Sequence, residues 1–173
     1  MSSLTLITGG VGSGKTHHAL TLAAPASRKA YIATAPTNLD TEMDAKIRAH
    51  QEERDETYTT IEEQIDLAKA YQRALALPCD TILIDCLTLW ASNLIFTNTA
   101  PEAPLEQFLT QLTTAPCRTI IVTNEVSLGV IPPDTMTRSY CKLLARINRR
   151  MATIADEVLL MVSGIPVMVK GVR

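Results

Sequence analysis

Leu4-Thr5-Leu6-Ile7-Thr8-Gly9-Gly10-Val11-Gly12-Ser13-Gly14-Lys15-Thr16 joins a short apolar, β-branched run to a glycine-rich turn that ends in Lys-Thr. From Gly9 the pattern is G-x-x-x-x-G-K-[ST], a phosphate-binding loop. Glycines let the main chain wrap closely around oxygens and reach angles a Cβ forbids. Successive N–H groups and the N-terminus of the next helix then make an anion site. The run before the loop reads as a strand, and His17 to Ala24 reads as the helix after it. Gly9, Gly10, Val11, Gly12, Ser13, Gly14, Lys15 and Thr16 are therefore expected to hold a nucleotide triphosphate. Lys15 supplies charge for the β- and γ-phosphates, and the Thr16 hydroxyl is placed for Mg²⁺. The motif does not say which nucleotide is used or what is done to it.

Working outward, strands and helices alternate. Lys29 to Thr34 reads as a second strand, and Thr34 to Thr37 should lie on the same sheet edge as the loop. Asp40 to Glu53 reads as a helix, Tyr58 to Ile61 as a short strand with Glu62 at its end, and Glu63 to Ala76 as a helix. Thr81-Ile82-Leu83-Ile84-Asp85 is a buried strand in Walker B form, so Asp85 is a candidate for holding Mg²⁺ or its water shell; the other reading is a strand-end carboxylate capping the next helix. Cys86 to Phe96 reads as a helix with much apolar surface, Thr97 to Pro104 as an exposed turn-rich stretch, and Leu105 to Thr114 as a helix. Arg118 to Thr123 is a buried strand, and Ser127 to Asp134 a loop. Met136 to Ala155 is a long helix and Glu157 to Val162 a strand. Val167 to Lys170 pairs with that strand as an antiparallel edge. The expected fold is a single α/β domain over 1–173, a three-layer phosphate-loop NTPase of RecA-like form around a mostly parallel sheet.

Composition sets bounds on the partners. The chain has 173 residues, 20% charged, with a formal charge of −2. No basic excess points to nucleic acid or to a membrane surface. No basic-then-apolar leader precedes the loop and no apolar run is long enough to span a bilayer, so a cytoplasmic protein is expected. Cys79, Cys86, Cys117 and Cys141 lack metal-ligand spacing, so reduced thiols are expected.

His17 and His18 read as ordinary helix residues. His50 has Lys46 and Arg54 four residues to either side, on one helical face. A histidine among cations can attack a nucleotide phosphate, with the cations offsetting charge on the phosphoryl oxygens. From the pattern alone, a solvated helix face in a stretch that also carries Glu52 and Glu53 is the plainer reading.

Four segments together resemble the bifunctional adenosylcobinamide kinase/adenosylcobinamide-phosphate guanylyltransferase family of cobalamin biosynthesis. They are Ile7-Thr8-Gly9-Gly10 with Ser13-Gly14-Lys15-Thr16; Tyr31-Ile32-Ala33-Thr34 with Glu42, Met43, Ile47, His50 and Arg54; Asp85-Cys86-Leu87-Thr88 with Asn93-Leu94; and Val122-Thr123-Asn124-Glu125-Val126 with Gly129 to Pro132, closing on Asn148 and Ala155 to Val158. The resemblance implies phosphorylation of adenosylcobinamide with ATP or GTP. It further implies transfer of GMP from GTP to adenosylcobinamide phosphate through a guanylylated His50. It also implies a nucleotide site lined by Thr34, Ala35 and Pro36 and flanked by Gln51, Glu52, Glu53 and Arg54, with Glu62 against the guanine and Asp85 as the metal acid. A homo-oligomer, a trimer or similar ring, is implied too. The chain departs from the family pattern at Gly12, Cys141, Lys142 and Ala145. A small-molecule kinase without nucleotidyl transfer is the alternative enzyme, and a nucleotide-binding module without turnover the non-enzymatic one.

Overall fold

A computed structural model describes residues 2–36, 54–126, 128–129 and 131–171. The elements are β1 (Ser3–Gly9), α1 (Lys15–Ala23), β2 (Lys29–Ala33), β3 (Tyr58–Glu62), α2 (Leu67–Leu75), β4 (Thr81–Asp85), α3 (Leu87–Phe96), α4 (Glu102–Thr113), β5 (Arg118–Val122), α5 (Thr135–Ile154), β6 (Glu157–Val162) and β7 (Ile165–Lys170). The expected helix over 40–53, with His50, Gln51, Glu52 and Glu53, lies outside the described residues.

One sheet of seven strands runs in the order β3-β2-β4-β5-β1-β6-β7. Every pair is parallel except β6 with β7. Strand residues alternate between two faces, and both faces of the central strands are covered, while β7 at the edge is exposed throughout. Leu4 and Leu6 of β1, Ile32 of β2, Ile82 and Ile84 of β4 and Ile121 of β5 share a core with α2 to α5. Ile7, Tyr31, Leu83, Ile120 and Val122 share the other with Ala19 and Ala23 of α1. These are the three layers that alternating strands and helices call for.

The larger core is centred on aromatic rings. Phe108 of α4 meets Tyr71 of α2 and Trp90 of α3 edge-on, at centroid distances of 5.6 and 6.2 Å. The indole N–H of Trp90 donates to the Ile65 carbonyl at 2.8 Å, so its one polar atom is satisfied in the interior. Leu87, Trp90, Ala91 and Leu94 are fully buried. The apolar character of the Leu87–Phe96 segment is thus core, with Phe96 the exposed exception.

Element ends differ from the expectation for identifiable reasons. α2 starts at Leu67, not Glu63. The Glu63 carboxylate accepts the N–H groups of Ile65 and Asp66, and Asp66 then caps the helix by accepting from Lys69. α4 starts at Glu102, inside the stretch read as a turn, and Pro104 falls in its first turn, where a missing N–H costs nothing. β7 starts at Ile165 because the turn is only Ser163 and Gly164, both at positive φ (50° and 83°). Two such residues make the tight hairpin turn whose twist matches its strands.

Candidate functional site

The phosphate loop lies at the carboxyl end of β1, between β5 and β6. Gly9 has φ +151°, and a Cβ there would sit 2.7 Å from both the Met161 carbonyl oxygen and Ser13 Oγ. Gly14, at φ +88°, turns the chain into α1. The loop is braced by the Ser13 N–H to the Gly10 carbonyl (3.3 Å) and by the Gly164 N–H to the Ser13 carbonyl (3.1 Å). The β6–β7 turn therefore props the loop from outside. The Ser13 hydroxyl is buried with no partner among the described residues. Lys15 is 8% exposed, and its ammonium donates to the Gly10 carbonyl at 2.5 Å, folded back over the loop it serves. Val11 stands at the crest, 81% exposed.

Asp85 ends β4, one strand beyond β5. The Thr16 hydroxyl donates to Asp85 Oδ2 at 2.8 Å, and the Tyr31 hydroxyl donates to the same oxygen at 3.1 Å. A hydroxyl and a carboxylate in contact are hard oxygen donors, the type Mg²⁺ takes. The residues present fit that ion, and Thr16 and Asp85 could hold it. Burial foremost, then the Asp85 charge, pushes the Tyr31 phenol far above its usual range, while Arg54 opposes. Tyr31 is thus a neutral donor at any physiological pH. Burial and the same charge raise the Cys86 thiol to about 12, so Cys86 is a thiol rather than a thiolate.

Thr34 is fully buried and tied on all sides. Its hydroxyl donates to the Cys86 carbonyl (2.7 Å) and accepts the Cys86 N–H (2.8 Å), its N–H reaches the Asp85 carbonyl (3.2 Å), and its own carbonyl accepts from Asn93 (2.8 Å). Thr34 therefore sets the path of the chain past Asp85, and Ala35 and Pro36 follow it, half-buried, beyond the carboxyl end of β2. The Arg54 guanidinium carbon lies 4.0 Å from the centroid of the Tyr31 ring, and its Nη1 is buried with no partner among the described residues. Such a nitrogen suits a phosphate oxygen. Glu62 ends β3 opposite Ala33, exposed and two strands from Asp85 on the same edge.

The floor between loop and Asp85 is the end of β5. Thr123 donates to Asn148 Oδ1 (2.8 Å), Asn148 Nδ2 donates to the Asn124 carbonyl (2.9 Å), and the Asn124 N–H reaches the Thr88 hydroxyl (2.7 Å). The Glu125 N–H then donates to the Gly9 carbonyl at 3.0 Å. Tyr31, Asn93 and Asn148 received no role from motif reasoning. Their signal was present: a polar atom set within an apolar strand or helix face needs a buried partner. His17 is exposed, and His18 is held below its usual value by burial and then by His17. Of the departing positions, Lys142 lines a groove of about 580 Å³ between the end of α3 and α5.

Among the described residues no helix is long and apolar enough to cross a membrane. The family model "Cobinamide kinase / cobinamide phosphate guanyltransferase" matches residues 5–169. A bifunctional adenosylcobalamin biosynthesis protein of Salmonella typhimurium is 36% identical over 182 residues, covering 96% of this chain and 99% of the relative. The Escherichia coli protein of that name is 32% identical over 182 residues, with the same coverage. A third such protein, from Pseudomonas aeruginosa, is 36% identical over 169 residues, covering 96% of each chain. Among solved structures, a KaiC-like protein of Pyrococcus horikoshii aligns with TM-score 0.54 at 17% identity, over 91% of this chain and 70% of that one. An ATPase of a type III secretion system aligns with TM-score 0.61 at 13% identity, over 91% and 50%. Both structural likenesses show the phosphate-loop ATPase fold alone.

Proposed function

The chain belongs to the cobinamide kinase/cobinamide phosphate guanyltransferase family, and on that premise we propose that it carries out both reactions on adenosylcobinamide. In the first, the substrate hydroxyl oxygen attacks the γ-phosphorus of ATP or GTP. The bond to the β–γ bridging oxygen breaks, the nucleoside diphosphate leaves, and the hydroxyl loses its proton. In the second, an imidazole nitrogen of His50 attacks the α-phosphorus of GTP, and pyrophosphate leaves. A phosphate oxygen of adenosylcobinamide phosphate then attacks the same phosphorus, the P–N bond breaks, and adenosylcobinamide-GDP is released.

The observation that carries this reading is the contact of Thr16 with Asp85 beside a complete phosphate loop, in a chain matched by the family model over residues 5–169. The chain's own groups have distinct tasks. N–H groups of Gly9 to Thr16 hold the triphosphate, and Lys15 offsets its charge and that of the leaving group. Arg54 supplies its enclosed guanidinium nitrogen to a phosphate oxygen. Gln51 to Glu53 flank the nucleotide, Thr34 to Pro36 form its wall, and Glu62 accepts from the guanine N1–H and 2-amino group. Mg²⁺, held by Thr16 and Asp85 when bound, spreads the charge of the phosphates. The protein acts as one domain, in the cytoplasm, as a homo-oligomer that the family resemblance makes a trimer.

The test is incubation with GTP labelled on the α-phosphate, then denaturation and intact mass. The expected product is an acid-labile, alkali-stable GMP adduct on His50 that disappears in His50→Ala while nucleotide binding remains. Unchanged labelling of that variant would remove His50 as the nucleophile. A protein labelled at no position, yet transferring the γ-phosphoryl, would be the simple kinase.

A further inference from the structure

Tyr31 belongs to β2, the strand beside β4, two residues before the Ala33 that pairs with Asp85. Its ring lies on the α1 side of the sheet, so its hydroxyl reaches along that face to the carboxylate at the end of the neighbouring strand. Three contacts hold the side chain. Asp85 Oδ2 accepts its hydroxyl at 3.1 Å. The Tyr58 ring meets it edge-on, with centroids 6.2 Å apart and planes at 79°. The Arg54 guanidinium covers it at 4.0 Å. Only 4% of the residue is exposed.

Two donors to Asp85, Thr16 and Tyr31, converge on one oxygen, Oδ2. With both hydroxyls on Oδ2, the proposed metal site leaves Oδ1 to a cation or its water. A carboxylate with a single short donor can rotate about its terminal torsion, which is broad. Two donors on one oxygen, from a helix and from a strand, remove that freedom. Meanwhile the face of the same ring seats a cation, an attraction strengthened by enclosure. That cation directly follows the stretch that contains His50.

Resting on the function proposed above, we infer that Tyr31 is a positioning residue for both transfers. Its hydroxyl orients the Asp85 carboxylate, and its ring seats Arg54, so that metal-holding acid and phosphate-facing arginine are set by one side chain. Tyr31 touches neither nucleotide nor acceptor; it acts through its two neighbours.

The test uses the full chain with GTP and Mn²⁺, the bound metal being read from the loss of the free Mn²⁺ paramagnetic resonance signal. Tyr31→Phe keeps the ring and removes the hydroxyl. It is expected to weaken Mn²⁺ affinity in the GTP complex about tenfold, as when one hydrogen bond to a charged group is lost. It should lower the rate of adduct formation by a similar factor, with metal-free GTP affinity unchanged. Tyr31→Leu removes the ring as well, and is expected to weaken metal-free GTP binding too. In the Asp85→Asn background, Tyr31→Phe should add no further loss of metal affinity. Wild-type Mn²⁺ affinity in Tyr31→Phe would overturn the inference, as would losses in Tyr31→Phe and Asp85→Asn that multiply. Metal binding needs no turnover. A protein that makes no adduct and phosphorylates no cobinamide, yet shows the Tyr31→Phe loss of metal affinity, would therefore retain the positioning role and lose the functional reading.

Discussion

Asn93 Nδ2 donates to the Thr34 carbonyl at 2.8 Å and to the Gln64 carbonyl at 3.0 Å, linking the middle of α3 to the chain leaving β2 and to the chain leaving β3. The side chain is 6% exposed. Asn93→Leu keeps the volume and leaves both carbonyls without their donor. The expected cost is about 2–3 kcal/mol in urea unfolding, the usual penalty for stranding buried polar groups. Because Thr34 leads into Ala35 and Pro36, GTP affinity should fall in the same variant, checked by calorimetry.

Gly9→Ala is expected to damage the loop while Gly10→Ala is tolerated. At Gly9 the new methyl would lie 2.7 Å from a main-chain carbonyl oxygen, that of Met161, which is fixed in β6. At Gly10 a Cβ meets nothing within 4 Å. Binding of a fluorescent GTP analogue should weaken about tenfold or more in the first variant, in line with overpacking costs of ~1–3 kcal/mol. Equal affinities in the two variants would contradict this account of the loop.

Trp90→Ala opens the centre of the larger core and strands the Ile65 carbonyl that its indole N–H satisfies. A loss of about 3–5 kcal/mol is expected, read from denaturant midpoints at constant slope. Trp90→Phe should recover part of it by restoring a ring beside Phe108.

Acid should loosen α5 from its start. The Asp134 carboxylate accepts the Thr137 N–H at 2.7 Å, and that bond holds its pKa below the usual value. A depressed carboxylate stabilises the fold above its unfolded value, near pH 4, and the gain disappears as pH falls through the folded value. Asp134→Ala should therefore melt earlier than the parent at pH 7, with the gap closing as pH falls through the depressed folded value. A gap that persists in acid would show that the helix start does not depend on the charged cap.

Strands with a continuous apolar run, β4 and β6, are legible residue for residue, because burial on both faces leaves no polar interruption. Helix starts are less legible. Glu63 looks like a first-turn residue of α2, yet its side chain turns back to cap the loop, and only three-dimensional accounting of N–H groups shows it. Thr16 and Asp85 come from two motifs 69 residues apart, and the structure brings their side chains into contact. Tyr31 reads from the sequence as part of a strand, and its ring belongs to the core by pattern. Its hydroxyl's errand cannot be read from β2 alone, because it depends on how far β4 extends beside it.

The order of strands also fixes when the loop can exist. β1 carries the phosphate loop at residue 9, yet its two neighbours are β5, from residue 118, and β6, ending at residue 162. During synthesis β1 leaves the ribosome before either of its neighbours and waits unpaired until β5 and β6 have followed. Pairings so distant in sequence form late in folding. The turn at Ser163 and Gly164 that props the loop comes later still. Nucleotide affinity in this molecule thus depends on β5, β6 and the turn after them, and a product truncated or stalled before these should carry the motif without the binding.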